Sequence, residues 1–187
     1  MNKVKEIIQE IQNLQKTNEL ILVAIDGVGG AGKSTVASLL HGQIQDSSII
    51  QMDDFYSPEL QRPDVVRLKT EVLIPLHSHK TAHYQIFLWK TNTYSNWQTL
   101  PAQGVIIFEG IFSLEKDLHE FYDIKVWVDC PAEVGYERGV KRDKEIYHVD
   151  NTEKWQKIWM PLEEKYHNEK NPKQCADYII DGTKVSL

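Results

Sequence analysis

The stretch that decides the fold is Gly27-Val28-Gly29-Gly30-Ala31-Gly32-Lys33-Ser34, followed by Thr35. It fits G-x-x-x-x-G-K-[ST], a loop that cradles the phosphates of a nucleotide. The glycines let successive backbone N–H groups turn inward on a phosphate chain, and a helix beginning near Lys33 adds its N-terminal dipole. Lys33 supplies a positive charge for the β and γ phosphates, and the Ser34 hydroxyl can ligate Mg²⁺. The predicted nucleotide-binding residues are Gly27, Gly29, Gly30, Ala31, Gly32, Lys33, Ser34 and Thr35.

The flanking sequence distinguishes this motif from a glycine-rich turn with a chance lysine. Before the loop, residues 20–25 form a continuous apolar run, which is typical of a strand buried on both faces. After the loop, Val36, Ala37, Leu39 and Leu40 are spaced as the buried side of a short helix. Strand, loop and helix thus occur in the order that the motif requires.

Composition limits the class of protein. With 187 residues and 41% hydrophobic content, the chain is expected to be one globular domain over residues 1–187. The formal charge of −6 argues against nucleic-acid and anionic-membrane partners, which need a basic surface. No apolar run approaches the ~20 residues of a membrane span, and no signal-peptide core is visible. Cys130 and Cys175 match no metal motif, so we expect a reducing compartment, the cytoplasm. Homo-oligomer formation is left open.

The remaining apolar runs predict an α/β architecture. Residues 4–14 have the spacing of an amphipathic helix, and residues 49–52, 104–110, 124–129 and 178–182 read as further strands. Because these strands alternate with helical patterns, they predict one parallel sheet of five strands.

The segments between these strands are predicted mainly from periodicity. Residues 65–76 read as a helix, and the aromatic and threonine-rich stretch 82–100 reads as a hairpin outside the main sheet. A helix over residues 132–142 should follow Pro131. Asp150 and Glu153 resemble a capping box for a long helix that Pro161 kinks.

Acidic residues follow two of the predicted strands. Asp53 and Asp54 come after the second strand, and Glu109 ends the strand over residues 104–110. Ligands of open parallel sheets bind outside the carboxyl ends of the strands, where these carboxylates fall. A buried carboxylate is costly unless it meets a cation or donors, so we predict a metal role for Glu109 beside Ser34.

With these residues placed, the chain resembles the uridine kinase family of P-loop kinases, in particular a bacterial uridine kinase-like subgroup, and more loosely the nicotinamide riboside kinases. The resemblance extends from residue 21 to residue 182. It rests on the loop and on Asp53-Asp54-Phe55-Tyr56, Glu109-Gly110-Ile111, Arg138-x-x-x-Arg142-Asp143 and Ala176-Asp177-Tyr178-Ile179-Ile180, in that order.

The resemblance implies a three-layer α/β/α P-loop kinase with a five-stranded parallel sheet. It implies a helical lid over about residues 131–150 and a substrate-side segment over about residues 56–101. The implied activity is transfer of the γ-phosphate of ATP, with Mg²⁺, to a hydroxyl of a nucleoside or similar small molecule. We expect a small-molecule substrate and neither nucleic acid nor membrane as partner.

The resemblance also assigns roles to single residues. Asp53 matches the proton acceptor, although it could instead cap a helix or bind Mg²⁺ through water. Asp54 could contact substrate or only solvent. Tyr56 is either a substrate-stacking ring or part of the core wall. Asp64 is a candidate to bind ribose hydroxyls and could equally be a helix N-cap. Tyr84 matches the tyrosine of the family's base-binding segment.

Two arginines complete the candidate catalytic set. Arg138 and Arg142, four residues apart, share one helix face and match the lid arginines that stabilise the moving phosphoryl group. The alternative is a solvated surface.

The base-binding segment departs from the family pattern. Gln85 stands where the family has an aspartate, and Trp89 stands where it has a histidine. We therefore predict that uridine and cytidine are poor or non-exclusive substrates. The alternatives are a kinase of nicotinamide riboside or another small molecule, and a non-kinase NTP-binding regulatory protein. The absence of an Asn-Lys-x-Asp motif disfavours a GTPase.

Overall fold

The apolar run before the phosphate loop forms the central strand of the sheet, β1 (Leu20–Gly27), which is buried over all but its first residue. The structure, a computed structural model, describes residues 2–185. The other strands are β2 (Ser47–Gln51), β3 (Tyr56–Ser57), β4 (Arg62–Pro63), β5 (Ala82–Tyr84), β6 (Phe87–Leu88), β7 (Thr93–Tyr94), β8 (Gln98–Leu100), β9 (Gly104–Glu109), β10 (Ile124–Asp129) and β11 (Tyr178–Asp181). The α-helices are α1 (Asn2–Leu14), α2 (Lys33–His41), α3 (Val65–Arg67), α4 (Ile74–His77), α5 (Ala132–Glu145), α6 (Thr152–Lys154) and α7 (Met160–Lys170).

Five strands form one parallel sheet in the order β11-β10-β1-β9-β2. Strand β1 pairs with β9 on one side, where Ile25 is opposite Glu109, and with β10 on the other, where Gly27 is opposite Val128. The carboxyl ends of all five strands therefore lie at one edge, which confirms the predicted sheet.

Helices cover both faces of this sheet. Ile21, Val23 and Ile25 pack in one buried cluster with residues of α1 and α2. Leu22 and Ala24, which alternate with them, pack in a second cluster with the helix over residues 65–77 and with α7. The predicted three-layer α/β/α arrangement is confirmed. No helix among residues 2–185 has the length and apolar character needed to cross a membrane.

Two long helices contain a π-helical segment. Leu68–Leu73 joins α3 to α4, and Trp155–Trp159 joins α6 to α7. Each segment ends two residues before a proline, Pro75 or Pro161. A wide turn is one way for a helix to tolerate a proline that lacks an N–H donor, and the kink at Pro161 stays a prediction.

Two local predictions are wrong. The capping box does not form: the Asp150 carboxylate accepts from the backbone N–H and hydroxyl of Thr152, whereas Glu153 accepts from Lys157. Leu39 is exposed and is not on the buried side of α2. Residue spacing alone determines neither which group a side chain hydrogen-bonds to nor which residues of a helix are covered by other elements.

Residues 56–100 form small antiparallel pairs outside the main sheet. Strand β5 pairs with β8, β6 pairs with β7, and β3 pairs with β4. The predicted hairpin character of residues 82–100 is confirmed, as one strand pair enclosed within another.

Candidate active site

The phosphate loop joins the carboxyl end of β1 to α2. Gly32, the N-cap of α2, has φ 100°, a left-handed conformation that favours glycine. Gly30 packs against α5 so closely that an added Cβ would lie 2.0 Å from the carbonyl oxygen of Gly135. The Nζ of Lys33 donates to the carbonyl oxygens of Gly27 at 2.9 Å and Val28 at 2.8 Å. The lysine thus lies over its own loop.

Ser34 and Glu109 meet at the base of the loop. The Ser34 hydroxyl donates to Oε1 of Glu109 at 3.0 Å, and the Glu109 side chain is buried. Burial raises the pKa of Glu109, whereas the charge of Lys33 and the hydrogen bond from Ser34 lower it. The structure therefore brings together the two predicted metal ligands, an oxygen pair of the hard type that Mg²⁺ prefers.

Asp53 and Asp54 lie on a 3₁₀ turn, Met52–Phe55, which follows β2 at the same sheet edge. Asp53 is an exposed residue, yet desolvation of its carboxyl group by the surrounding protein raises its pKa, opposed by the charges of Lys33 and Arg142. Burial and the charge of Asp53 raise the pKa of Asp54 to about 6. The N-cap of this turn is Gln51, so Asp53 is not its cap.

Aromatic side chains form a wall beside Asp53. The Tyr56 ring centroid lies 4.3 Å from that of Trp89 and 5.2 Å from that of Phe87. Burial, and next the charge of Asp53, raise the pKa of Tyr56. The Trp89 side chain is 52% exposed, so it is a rim residue and not core packing.

Tyr84 and Asp64 make contacts within the fold that are typical of structural residues. The Tyr84 ring is buried and stacks on Phe55 with centroids 5.4 Å apart. Oδ1 of Asp64 accepts from the backbone N–H groups of Val66 and Arg67. Asp64 is therefore the N-cap of the helix over residues 65–77, the second of the two predicted alternatives.

The two arginines of α5 have different partners. The Arg138 guanidinium donates to the carbonyl oxygens of Gly182 at 2.9 Å and Thr183 at 3.3 Å, which ties α5 to the turn after β11. Arg142 donates to Oδ1 of the buried Asp143. Its charge lowers the pKa of Asp53. The action of both arginines on the moving phosphoryl group stays a prediction.

One buried carboxylate near the loop was not predicted. Asp26, the residue before the loop, is fully buried and accepts from the N–H of Gly27 at 2.7 Å, the N–H of Leu114 at 2.9 Å and the hydroxyl of Tyr166 at 2.8 Å. Burial nevertheless raises its pKa to about 6. The signal available in the sequence was a charged residue at the end of an otherwise apolar strand.

The P-loop, the parallel sheet and the carboxylates at its carboxyl edge define a P-loop phosphotransferase. The model of the Phosphoribulokinase / Uridine kinase family matches residues 54–181. A uridine kinase of Anoxybacillus flavithermus is 31% identical over 141 residues, which cover 66% of this chain and 67% of that protein. A uridine kinase of Halalkalibacterium halodurans is 33% identical, with the same two coverages.

A solved structure has the same fold. It is described as a possible uridine kinase from Bacillus stearothermophilus, with a TM-score of 0.71, 21% sequence identity, and coverage of 96% of this chain and 98% of that one. The chain belongs to the phosphoribulokinase and uridine kinase family.

Proposed function

We propose that this protein is an ATP-dependent kinase that transfers the γ-phosphate to a hydroxyl group of a nucleoside or similar small molecule. The observation that carries the proposal is the position of Asp53. The charges of Lys33 and Arg142 act on its carboxylate, and that carboxylate in turn acts on Tyr56, which stacks with Trp89. The relatives named uridine kinases support the same class of acceptor.

The phosphate loop would hold the nucleotide, and its residues fit that task. The left-handed conformation of Gly32 and the close packing of Gly30 on Gly135 fix a loop backbone that a side chain at either position would strain. Mg²⁺ would be held by Ser34 and Glu109, where it would neutralise charge on the phosphates. Lys33 would exchange its present carbonyl partners for phosphate oxygens.

The transfer step then has a defined proton path. The acceptor oxygen forms a bond to the γ-phosphorus as the bond to the β–γ bridging oxygen breaks. Asp53 orients the acceptor hydroxyl and receives its proton. Arg142 would spread charge on the moving phosphoryl group, since its charge already acts on Asp53. Arg138 would support it indirectly, by fixing α5 to the turn after β11.

The aromatic side chains near Asp53 favour a ring-bearing acceptor. The exposed Trp89 and the half-buried Tyr56 offer flat apolar surfaces near Asp53. Walls of this kind discriminate weakly, often by only ~1–3 kcal/mol, so uridine and cytidine need not be preferred. Nicotinamide riboside and other small hydroxyl compounds remain alternative acceptors.

A panel experiment tests this function. Purified protein is given Mg²⁺-ATP with single ribonucleosides, nicotinamide riboside and simple sugars, and ADP release is measured. We expect release to depend on the added acceptor and to vanish in Lys33→Ala. Slow ADP release that no acceptor changes would instead favour a non-kinase NTP-binding regulatory protein.

A further inference from the structure

Glu163 contacts the phosphate loop from the distant helix α7. Its Oε2 accepts from the backbone N–H of Gly29 at 2.8 Å, across 134 residues of sequence. The side chain is only 7% exposed, and its buried Oε1 has no hydrogen-bond partner among residues 2–185. Burial raises the pKa of Glu163, whereas Lys33 and the Gly29 N–H lower it. A half-satisfied buried carboxylate is a cost to stability that an apolar side chain would avoid.

Trp155 packs beside Glu163 on the same glycine. A Cβ added to Gly29 would lie 2.5 Å from the Trp155 ring and 2.9 Å from Oε1 of Glu163. A Cβ added to Gly139 of α5 would lie 2.3 Å from the same ring. The Trp155 Nε1–H donates to Asp143 at 2.9 Å, and Asp143 also accepts from Arg142. Trp155 therefore joins the phosphate loop to the helix that carries Arg142.

The π-helical segment explains how both side chains reach one glycine. Trp155 and Glu163 are eight residues apart, and in a regular α-helix they would diverge by about 80°. The wide turn of Trp155–Trp159 accommodates one extra residue. Trp155 and Glu163 therefore point in directions like those of two residues seven apart in a regular helix, which differ by about 20°. Segments of this kind occur frequently at functional sites.

We propose that Glu163 is a positioning residue for phosphoryl transfer, which with Trp155 clamps Gly29 so that the phosphate loop and Arg142 keep a fixed mutual position. The inference rests on the proposed function and extends it to a helix outside the nucleotide motif. The clamp acts through the hydrogen bond from Gly29, so a neutral acceptor of the same shape should replace the carboxylate.

The test compares Glu163→Ala with Glu163→Gln, and uses Glu164→Ala, at an exposed neighbouring position, as control. With its best acceptor, Glu163→Ala should lose roughly 10- to 100-fold in kcat through misplacement of the loop, with KM for the acceptor little changed. The kcat of each variant is measured well below its Tm, so that a loss of stability is not mistaken for a loss of positioning. Glu163→Gln should retain most of the kcat.

A second readout is independent of activity. Amide hydrogen exchange of Gly29, followed by NMR, should be faster in Glu163→Ala than in the wild type, and unchanged in Glu163→Gln and Glu164→Ala. A normal kcat in Glu163→Ala, or a Glu163→Gln variant as impaired as the alanine variant, would overturn the proposal. If the wild type phosphorylates no acceptor, the proposed function fails, and unchanged Gly29 exchange in Glu163→Ala would separately refute the clamp.

Discussion

The Ser34 hydroxyl donates a 3.0 Å hydrogen bond to Oε1 of Glu109, although 75 residues separate them in the chain. The contact exists because β1 and β9 are neighbours in a parallel sheet, so the loop after one strand meets the last residue of the other. It places two oxygen ligands at the point where a nucleotide-bound cation would sit.

Glu109→Gln should raise the Mg²⁺ concentration needed for half-maximal activity, because a neutral amide attracts a divalent cation less strongly than a carboxylate. Activity should recover at least partly at high Mg²⁺. The check is a Mg²⁺ titration at saturating ATP, with Glu133→Gln, on an exposed residue of α5, as the control. An unchanged titration midpoint would remove Glu109 from the metal site.

Asp53→Asn keeps the shape of the side chain but cannot accept a proton, so kcat should fall by roughly 10²-fold or more. ATP affinity, measured by calorimetry, should change little. Asp54→Asn is the matched comparison on the same turn, with a smaller expected loss. If Asp54→Asn lost more activity than Asp53→Asn, the proton acceptor would be Asp54.

Trp89→Ala should lower kcat/KM for a ring-bearing acceptor by about 10-fold, the equivalent of ~1.4 kcal/mol of lost aromatic contact. Trp97→Ala is the control, because Trp97 is comparably exposed, at 61% against 52%. Steady-state kinetics on both variants provide the measurement. Equal effects of the two substitutions would mean that the Tyr56–Trp89 wall does not bind the acceptor.

Asp26 should make the protein less stable as pH rises from about 4 to about 6. Burial raises its pKa from 3.8 to about 6, so in this range the folded state holds a proton that the unfolded state has released. At about 1.4 kcal/mol per pKa unit, this amounts to roughly 3 kcal/mol of unfolding free energy.

Urea unfolding at several pH values measures this contribution. The pH dependence between about pH 4 and pH 6 should be flatter in Asp26→Asn, whereas Glu164→Gln, at an exposed position, should behave like the wild type. A dependence as steep in Asp26→Asn as in the wild type would contradict the assignment.

The sheet and the loop were predictable because their signals are local. The apolar run before Gly27 and the glycine pattern fix strand and loop, and parallel topology then places Asp53 and Glu109 at the same edge. The partners of Arg138 were not predictable, because they are backbone carbonyls at Gly182 and Thr183 that only the tertiary fold brings near.

Helical periodicity also gave no indication that Trp155 and Glu163 both contact Gly29. An ideal repeat of 3.6 residues gives Trp155 and Glu163 different directions, so periodicity alone does not bring them to one contact. The π-helical segment changes the phase and turns both toward Gly29. For Asp64, the sequence left ribose binding and helix capping open, and the hydrogen bonds at the start of α3 show that Asp64 is the N-cap of that helix.

The most direct test of the kinase assignment is transfer of the phosphoryl group itself. ATP labelled with ¹⁸O in the γ-phosphate is incubated with the protein, Mg²⁺ and the acceptor panel, and the products are analysed by mass spectrometry. We predict a labelled phosphate ester of a ring-bearing acceptor, with its formation abolished in Lys33→Ala and retained in Lys157→Ala, an exposed control. Labelled inorganic phosphate as the sole product, with every acceptor unmodified, would contradict the assignment.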